Sequence, residues 1–131
     1  MRAAVMGTGS WGTAYAATLA DAGTEVVMWG RRSESVDQIN AGCNADYLPG
    51  ITLPAGIRAT VDPREALGEA DIVVLAVPSQ TLRANLDAWS GALPADAAIV
   101  SLMKGVELGT TKRMSEVVAE VGHVKPQRIV V

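Results

Sequence analysis

The stretch Ala3-Ala-Val-Met-Gly7-Thr-Gly9-Ser10-Trp11-Gly12-Thr-Ala14, followed by an alanine-rich segment to Gly23 and by Val26-Val-Met-Trp-Gly30-Arg31-Arg32, decides how this chain is read. In order it is an apolar strand, a tight turn, a helix, and a second strand that ends on paired arginines. Gly7 permits the turn, Gly9 lets a diphosphate approach the backbone, and Gly12 lets the helix pack closely on the strand, while the amides of the helix N-terminus face the phosphates. A bare Gly-x-Gly-x-x-Gly is weak evidence. Here it follows a strand and opens a helix inside a strand-helix-strand unit, the context a dinucleotide-binding site requires.

That fingerprint expects a carboxylate about 20 positions on, accepting hydrogen bonds from the adenosine ribose 2′-hydroxyl. The second strand, 25–29, instead ends in Gly30, Arg31 and Arg32, with no acidic residue near its end. Guanidinium groups at that point suit a 2′-phosphate, so the cofactor expected is NADPH, with NADH the alternative. One charge-assisted hydrogen bond of roughly 1.5–3 kcal/mol shifts affinity about tenfold to a hundredfold. The plainer reading of two arginines leaving a strand is that water solvates them.

The 131 residues fit one domain with a workable core. At 49% hydrophobic and 19% charged the composition is globular and not disordered, and with no Phe the strands and helix contacts must rest on Val, Ile, Leu and Ala. A formal charge of −3 gives no electrostatic footprint for nucleic acid or an anionic membrane. The single cysteine, Cys43, rules out an intramolecular disulfide and suits a reducing compartment, so a cytoplasmic location is expected. Arg2 and the apolar residues after it loosely imitate a secretory signal, but Gly7, Gly9 and Gly12 break up its apolar core. No apolar run is long enough for a membrane span.

Along the rest of the chain the pattern predicts a helix over 11–22, with Ala14, Ala17 and Leu19 facing the sheet and Gly23 as its C-terminal cap. Ser33 is expected to cap a helix over 33–40. A long loop follows over 42–56, with Tyr47 and Leu48 packed over the sheet edge. A strand over 57–61 and a short helix opened by Asp62-Pro63 come next. The β-branched run over 72–77 reads as a strand buried on both faces; Pro78 stops it, and Ser79 is expected to cap a helix continuing to Trp89. A strand over 97–103 delivers Lys104 and Gly105, a helix spans 110–121 with Gly122 closing it, and 128–131 begins a sixth strand. The expected fold class is therefore α/β: a doubly wound parallel sheet of Rossmann type in three αβα layers, ordered 3-2-1-4-5-6. Gly7 to Gly12, Arg31, Pro78 and Lys104 all fall at carboxyl ends of strands, where ligands bind in such sheets.

Four stretches carry a resemblance: the glycine turn to Ala14, Tyr47-Leu-Pro-Gly50 with Leu53-Pro54, Val77-Pro-Ser-Gln80, and Ser101-Leu-Met-Lys-Gly105. With them the chain resembles the N-terminal cofactor domain of the NAD(P)-dependent glycerol-3-phosphate dehydrogenases, of bacterial type, over essentially its whole length. The resemblance implies reversible hydride transfer between NAD(P)H and dihydroxyacetone phosphate, giving sn-glycerol 3-phosphate for phospholipid synthesis. It implies cofactor contacts from Ser10, Trp11, Arg31 and Arg32, and from Lys104 to both cofactor and substrate, beside those the glycine motif and the strand ends assign to Gly7, Gly9, Gly12 and Pro78. Lys104 is reasonable on chemical grounds too, because an ammonium group stabilises the negative charge that hydride transfer builds on a ketone oxygen and also attracts a substrate phosphate. A solvated loop lysine is the plainer alternative, as an ordinary apolar anchor is for Trp11. His123 reads as a surface residue near a helix end, and no metal site is assigned.

Such enzymes continue into an all-helical domain that supplies a second, proton-transferring lysine. This chain stops at Val131 inside an apolar run, so residues 1–131 are expected to be a cofactor domain without most of the substrate site, inactive alone. Two other readings stay open: a stand-alone NADPH-sensing module, and the first domain of a related reductase acting on ketopantoate or pyrroline carboxylate. A homodimer is also left open.

Overall fold

The computed structural model describes residues 1–131. Six strands, β1 (Arg2–Met6), β2 (Glu25–Trp29), β3 (Ile57–Thr60), β4 (Ile72–Leu75), β5 (Ala98–Ser101) and β6 (Ile129–Val130), form one parallel sheet in the order β3-β2-β1-β4-β5-β6. Five helices cover it: α1 (Ser10–Asp21), α2 (Ser33–Asn40), α3 (Pro63–Leu67), α4 (Leu82–Ala88) and α5 (Met114–Val121). Strand order, parallel sense and layering are those expected from the sequence.

Alternate strand residues feed opposite faces, as the strand period requires. Val5, Val26, Met28 and Val74 pack with Ala16 of α1 and with Val36 and Ile39 of α2. Ala4, Met6, Val27, Trp29, Val73 and Leu75 pack with α3, α4 and α5. Lacking Phe, this second face is filled by a pair of indoles: Trp29 and Trp89 meet edge to face with ring centroids 5.1 Å apart. The register levels the strand ends, with Met6 beside both Trp29 and Leu75, and Leu75 beside Ser101. The turns after β1, β2, β4 and β5 therefore leave the sheet together on one edge.

Several boundaries and faces differ from expectation. Helix α1 buries Gly12, Thr13 and Ala16, with Leu19 packed at the same core, whereas Ala14 and Ala17 turn aside. Gly12 sets the helix phase: at 100° per residue, positions 16 and 19 share its face and 14 and 17 do not. Gly23 takes φ +87, the left-handed conformation of a helix stop. Ser33 is the first residue of α2 and not its cap; Arg32 holds the extended cap position, and no side chain caps that end.

The strands after β2 are shorter than their apolar runs. Ser79 caps nothing, because 79–81 form a 3-10 turn and α4 starts only at Leu82. The last helix begins at Met114 and not at 110, since Thr111 has φ +58, a left-handed value that interrupts a helix. Gly122 closes α5 at φ −80, and the positive φ of +53 falls on exposed His123 instead. Leu53, and not Tyr47 or Leu48, is the loop residue that enters the core. Asp62 does cap α3, its Oδ1 accepting the Arg64 amide at 2.9 Å. No helix is long and apolar enough to cross a membrane.

Candidate functional site

Because four turns emerge together, they enclose a groove of about 460 Å³ whose walls are residues 7–12, 29–32, 76–79 and 102–104, with Tyr47 over one end. The nine residues named from the sequence, Gly7, Gly9, Ser10, Trp11, Gly12, Arg31, Arg32, Pro78 and Lys104, all line it.

The three glycines differ in what a side chain would meet. At Gly7, φ is +134 and a Cβ would stand 2.4 Å from the Ala76 carbonyl oxygen. At Gly12 a Cβ would lie 2.9 Å from both the Ala76 Cβ and the Gly7 oxygen. These two positions lock the first turn against the turn after β4. At Gly9 a Cβ would meet no protein atom within 4 Å, so the space over that residue belongs to the groove.

Helix α1 starts beside that space. Its N-cap, Gly9, has no side chain to satisfy the first-turn donors, and the amides of Ser10, Trp11 and Gly12 find no acceptor in the chain. Unsatisfied helix-start amides combine with the helix dipole to make an anion site. Trp11 is 62% exposed, which disposes of its role as a core anchor.

The two arginines separate. Arg32 is turned back, its Nη2 donating to Ser35 Oγ at 3.1 Å and lying 3.7 Å from Asp46. Arg31 makes no hydrogen bond or ion pair within the chain and is exposed at the groove. Lys104, also exposed, stands at the other end, beyond β5. No lining residue is acidic. The groove is thus a cationic slot with a row of free amides near its middle, suited to an elongated ligand carrying several phosphates.

Sequence reasoning missed three contributors. Asn44 is buried at 1% exposure, and its Nδ2 donates to the Thr8 oxygen at 3.0 Å and to Thr13 Oγ1 at 2.8 Å, tying the 42–56 loop to the glycine turn. Ser10 Oγ donates to the Tyr47 oxygen at 3.0 Å, bringing Tyr47 to the groove. Trp29 closes the floor, its indole N–H donating to the Val61 oxygen at 3.1 Å. The Tyr-Leu-Pro signal marked the loop but could not place it.

Behind Lys104 the chain is held by a polar network. Gln80 bonds the backbone at Val106 and Leu108, each at 2.9 Å. The Arg83 guanidinium grips both oxygens of Glu107 at 2.9 Å, and Thr110 Oγ1 donates to the same carboxylate at 2.6 Å. The Arg83 bonds, aided by Thr110, hold the Glu107 carboxyl at about 2, well below its usual 4.5. Arg83 and Lys112 likewise converge on Glu120, whose carboxyl is lowered by Lys112 first and Arg83 second.

The family model described as the NAD-dependent glycerol-3-phosphate dehydrogenase N-terminus matches residues 2–131. A glycerol-3-phosphate dehydrogenase [NAD(P)+] of Streptomyces griseus is 60% identical over 132 aligned residues, covering 100% of this chain but 39% of that protein's length. Among solved structures, the glycerol-3-phosphate dehydrogenase of Coxiella burnetii superimposes with TM-score 0.83 at 32% identity, over 91% of this chain and 37% of its own. A ketopantoate reductase from Ralstonia eutropha, also 32% identical, reaches only 0.68 over 85% of this chain and 37% of its own. The chain spans about two fifths of the curated relative and belongs to the NAD-dependent glycerol-3-phosphate dehydrogenase family, matching its N-terminal part.

Proposed function

We propose that these residues form the cofactor domain of an oxidoreductase that moves a hydride between NAD(P)H and dihydroxyacetone phosphate, giving sn-glycerol 3-phosphate. The observation carrying this reading is the free guanidinium of Arg31 beside unsatisfied first-turn amides, in a groove lined by no carboxylate. The amides of Ser10, Trp11 and Gly12 receive the diphosphate, and the open face of Gly9 admits it. Arg31 receives the 2′-phosphate and makes NADPH the preferred cofactor, with NADH accepted more weakly. Arg32 is the lesser contact, because Ser35 and Asp46 already occupy it.

The nicotinamide, when bound, supplies or takes up the hydride. Lys104 stands where an ammonium group stabilises charge growing on the substrate oxygen and attracts the substrate phosphate. The share of the relatives' length that lies outside this match favours a partner domain, helical as the resemblance implies, that contributes a second lysine for proton transfer. The 131 residues alone then bind cofactor without turning substrate over. A cytoplasmic location, in keeping with glycerophospholipid synthesis, and a homodimer belong to the same proposal. Titration with NADPH and NADH tests it: saturable binding with NADPH the tighter is expected, and no binding of either overturns it.

A further inference from the structure

Gln80 does not line the groove, yet both ends of its carboxamide are used. Nε2 donates to the Val106 carbonyl and Oε1 accepts the Leu108 amide, 26 and 28 residues away in sequence. One neighbour is an acceptor and the other a donor, so only one orientation of the amide satisfies both.

The chain between β5 and this clamp carries Lys104. Leu102 is fixed by its amide to the Leu75 oxygen at 3.0 Å, and the Met103 amide reaches Ser101 Oγ at 3.3 Å. Lys104 makes no backbone hydrogen bond, and Gly105, at the φ of +91 that glycine adopts without strain, leads directly into an isolated antiparallel bridge between Val106 and Arg113. From Met103 onward, the next fixed point is therefore Val106, bridged to Arg113 within its own turn and tied to the Pro78 turn through its oxygen by Gln80. Gln80 itself follows Pro78, which lines the groove after β4, the strand paired with β5, in a turn closed by the Thr81 hydroxyl on the Pro78 oxygen at 2.7 Å.

We propose that Gln80 is the positioning residue for Lys104: by clamping Val106 and Leu108 to the Pro78 turn it fixes where the ammonium group enters the groove. This rests on the groove being a nicotinamide-dinucleotide site. Lys104 serves the nicotinamide end and Arg31 the adenosine end, so the two ends respond separately.

The test uses the full-length protein, with dissociation constants for NADPH and for adenosine 2′,5′-bisphosphate, a probe that fills the adenosine end only. Gln80→Ala is compared with Lys104→Met and with the double variant, and exchange of the Leu108 amide is followed in parallel. Expected for Gln80→Ala are NADPH binding weakened roughly fivefold, as for loss of one exposed charged contact, bisphosphate binding unchanged, and faster Leu108 exchange. In the double variant Gln80→Ala adds nothing to Lys104→Met. Gln80→Glu keeps the Leu108 bond but sets a carboxylate against the Val106 carbonyl; should the alanine variant misfold, it is expected to weaken NADPH and spare the bisphosphate in the same way, with Leu108 exchange unaltered. Equal weakening of both ligands, multiplying effects in the double variant, or unchanged Leu108 exchange in Gln80→Ala overturns the proposal. If the unaltered protein binds neither ligand, the reading of the groove falls, and the role of Gln80 with it; if it binds both and Gln80→Ala changes nothing, only the role of Gln80 falls.

Discussion

Gly9→Ala separates what the glycine turn does for folding from what it does for binding. Gly9 has φ −73 and ψ 179, extended backbone open to any residue, and a methyl there meets no protein atom within 4 Å. The folded state loses no contact, but Gly9 is the N-cap of α1, where alanine is disfavoured, and that cost offsets the gain of about 0.4–1 kcal/mol from a stiffer unfolded chain. At about 4 °C per kcal/mol for a domain of this size, the two terms leave the melting temperature within about 4 °C of the unaltered protein. The same methyl occupies the space through which a diphosphate reaches the amides of Ser10, Trp11 and Gly12. Loss of even one charge-assisted bond, roughly 1.5–3 kcal/mol, weakens binding about tenfold to a hundredfold. Gly12→Ala is the counterpart: its methyl meets the Ala76 Cβ and the Gly7 oxygen, each at 2.9 Å. Overpacking of that kind costs about 1–3 kcal/mol, a fall of about 4–12 °C. Thermal denaturation and fluorescence titration with NADPH, run on both variants, decide. NADPH affinity in Gly9→Ala within twofold of the unaltered protein, or a melting temperature lowered as far as that of Gly12→Ala, would refute the assignment of the open face to the ligand.

Arg31→Ala should narrow the NADPH-to-NADH affinity ratio about tenfold, the low end for a charged contact because the side chain is exposed, with no change in melting temperature since Arg31 has no partner in the chain; an unchanged ratio removes the 2′-phosphate role. The Glu107 carboxyl titrates at about 2 when folded against 4.5 unfolded, so its stabilisation is complete above pH 4.5 and drains away as the pH falls toward 2. Glu107→Gln should flatten the decline of melting temperature across that window, and an unaltered slope would show that the Arg83 grip contributes nothing. Asp62→Ala should lower stability by about 1 kcal/mol through loss of the α3 cap, read as a lower urea midpoint with an unchanged slope.

What the sequence made legible was local. Gly7, Gly9 and Gly12, the Asp62-Pro63 helix start and the apolar run over 72–77 each announce themselves within a few residues; alternation of strands and helices along the chain sufficed for the sheet order, and the strand ends together with the family resemblance for the nine lining positions. What stayed hidden depends on contacts across the fold. The apolar-polar pattern at 110–121 suits a helix throughout, but the bonds of Thr110 to Glu107, and of Glu107 to Arg83, hold the chain in a turn until Met114. Ser79 looks like a cap, yet Gln80 is drawn to Val106 and Leu108, and the first turn winds as 3-10. Asn44 gave no signal, because its partners Thr8 and Thr13 lie 36 and 31 residues away. Nor could the text of the sequence tell Arg31 from Arg32; only the placement of Ser35 and Asp46 does.

The bare flanks of Gly7 and Gly12 both rest on Ala76, whose oxygen and methyl they would otherwise strike. A residue with no chemistry of its own thereby becomes the gauge for the site's width: a valine at 76 would push the first turn away from the fourth strand and open the slot from below, although it touches no phosphate. Mutational tolerance at 76 should accordingly track that of the two glycines, and a screen that ranks positions by reactive groups alone would pass over it.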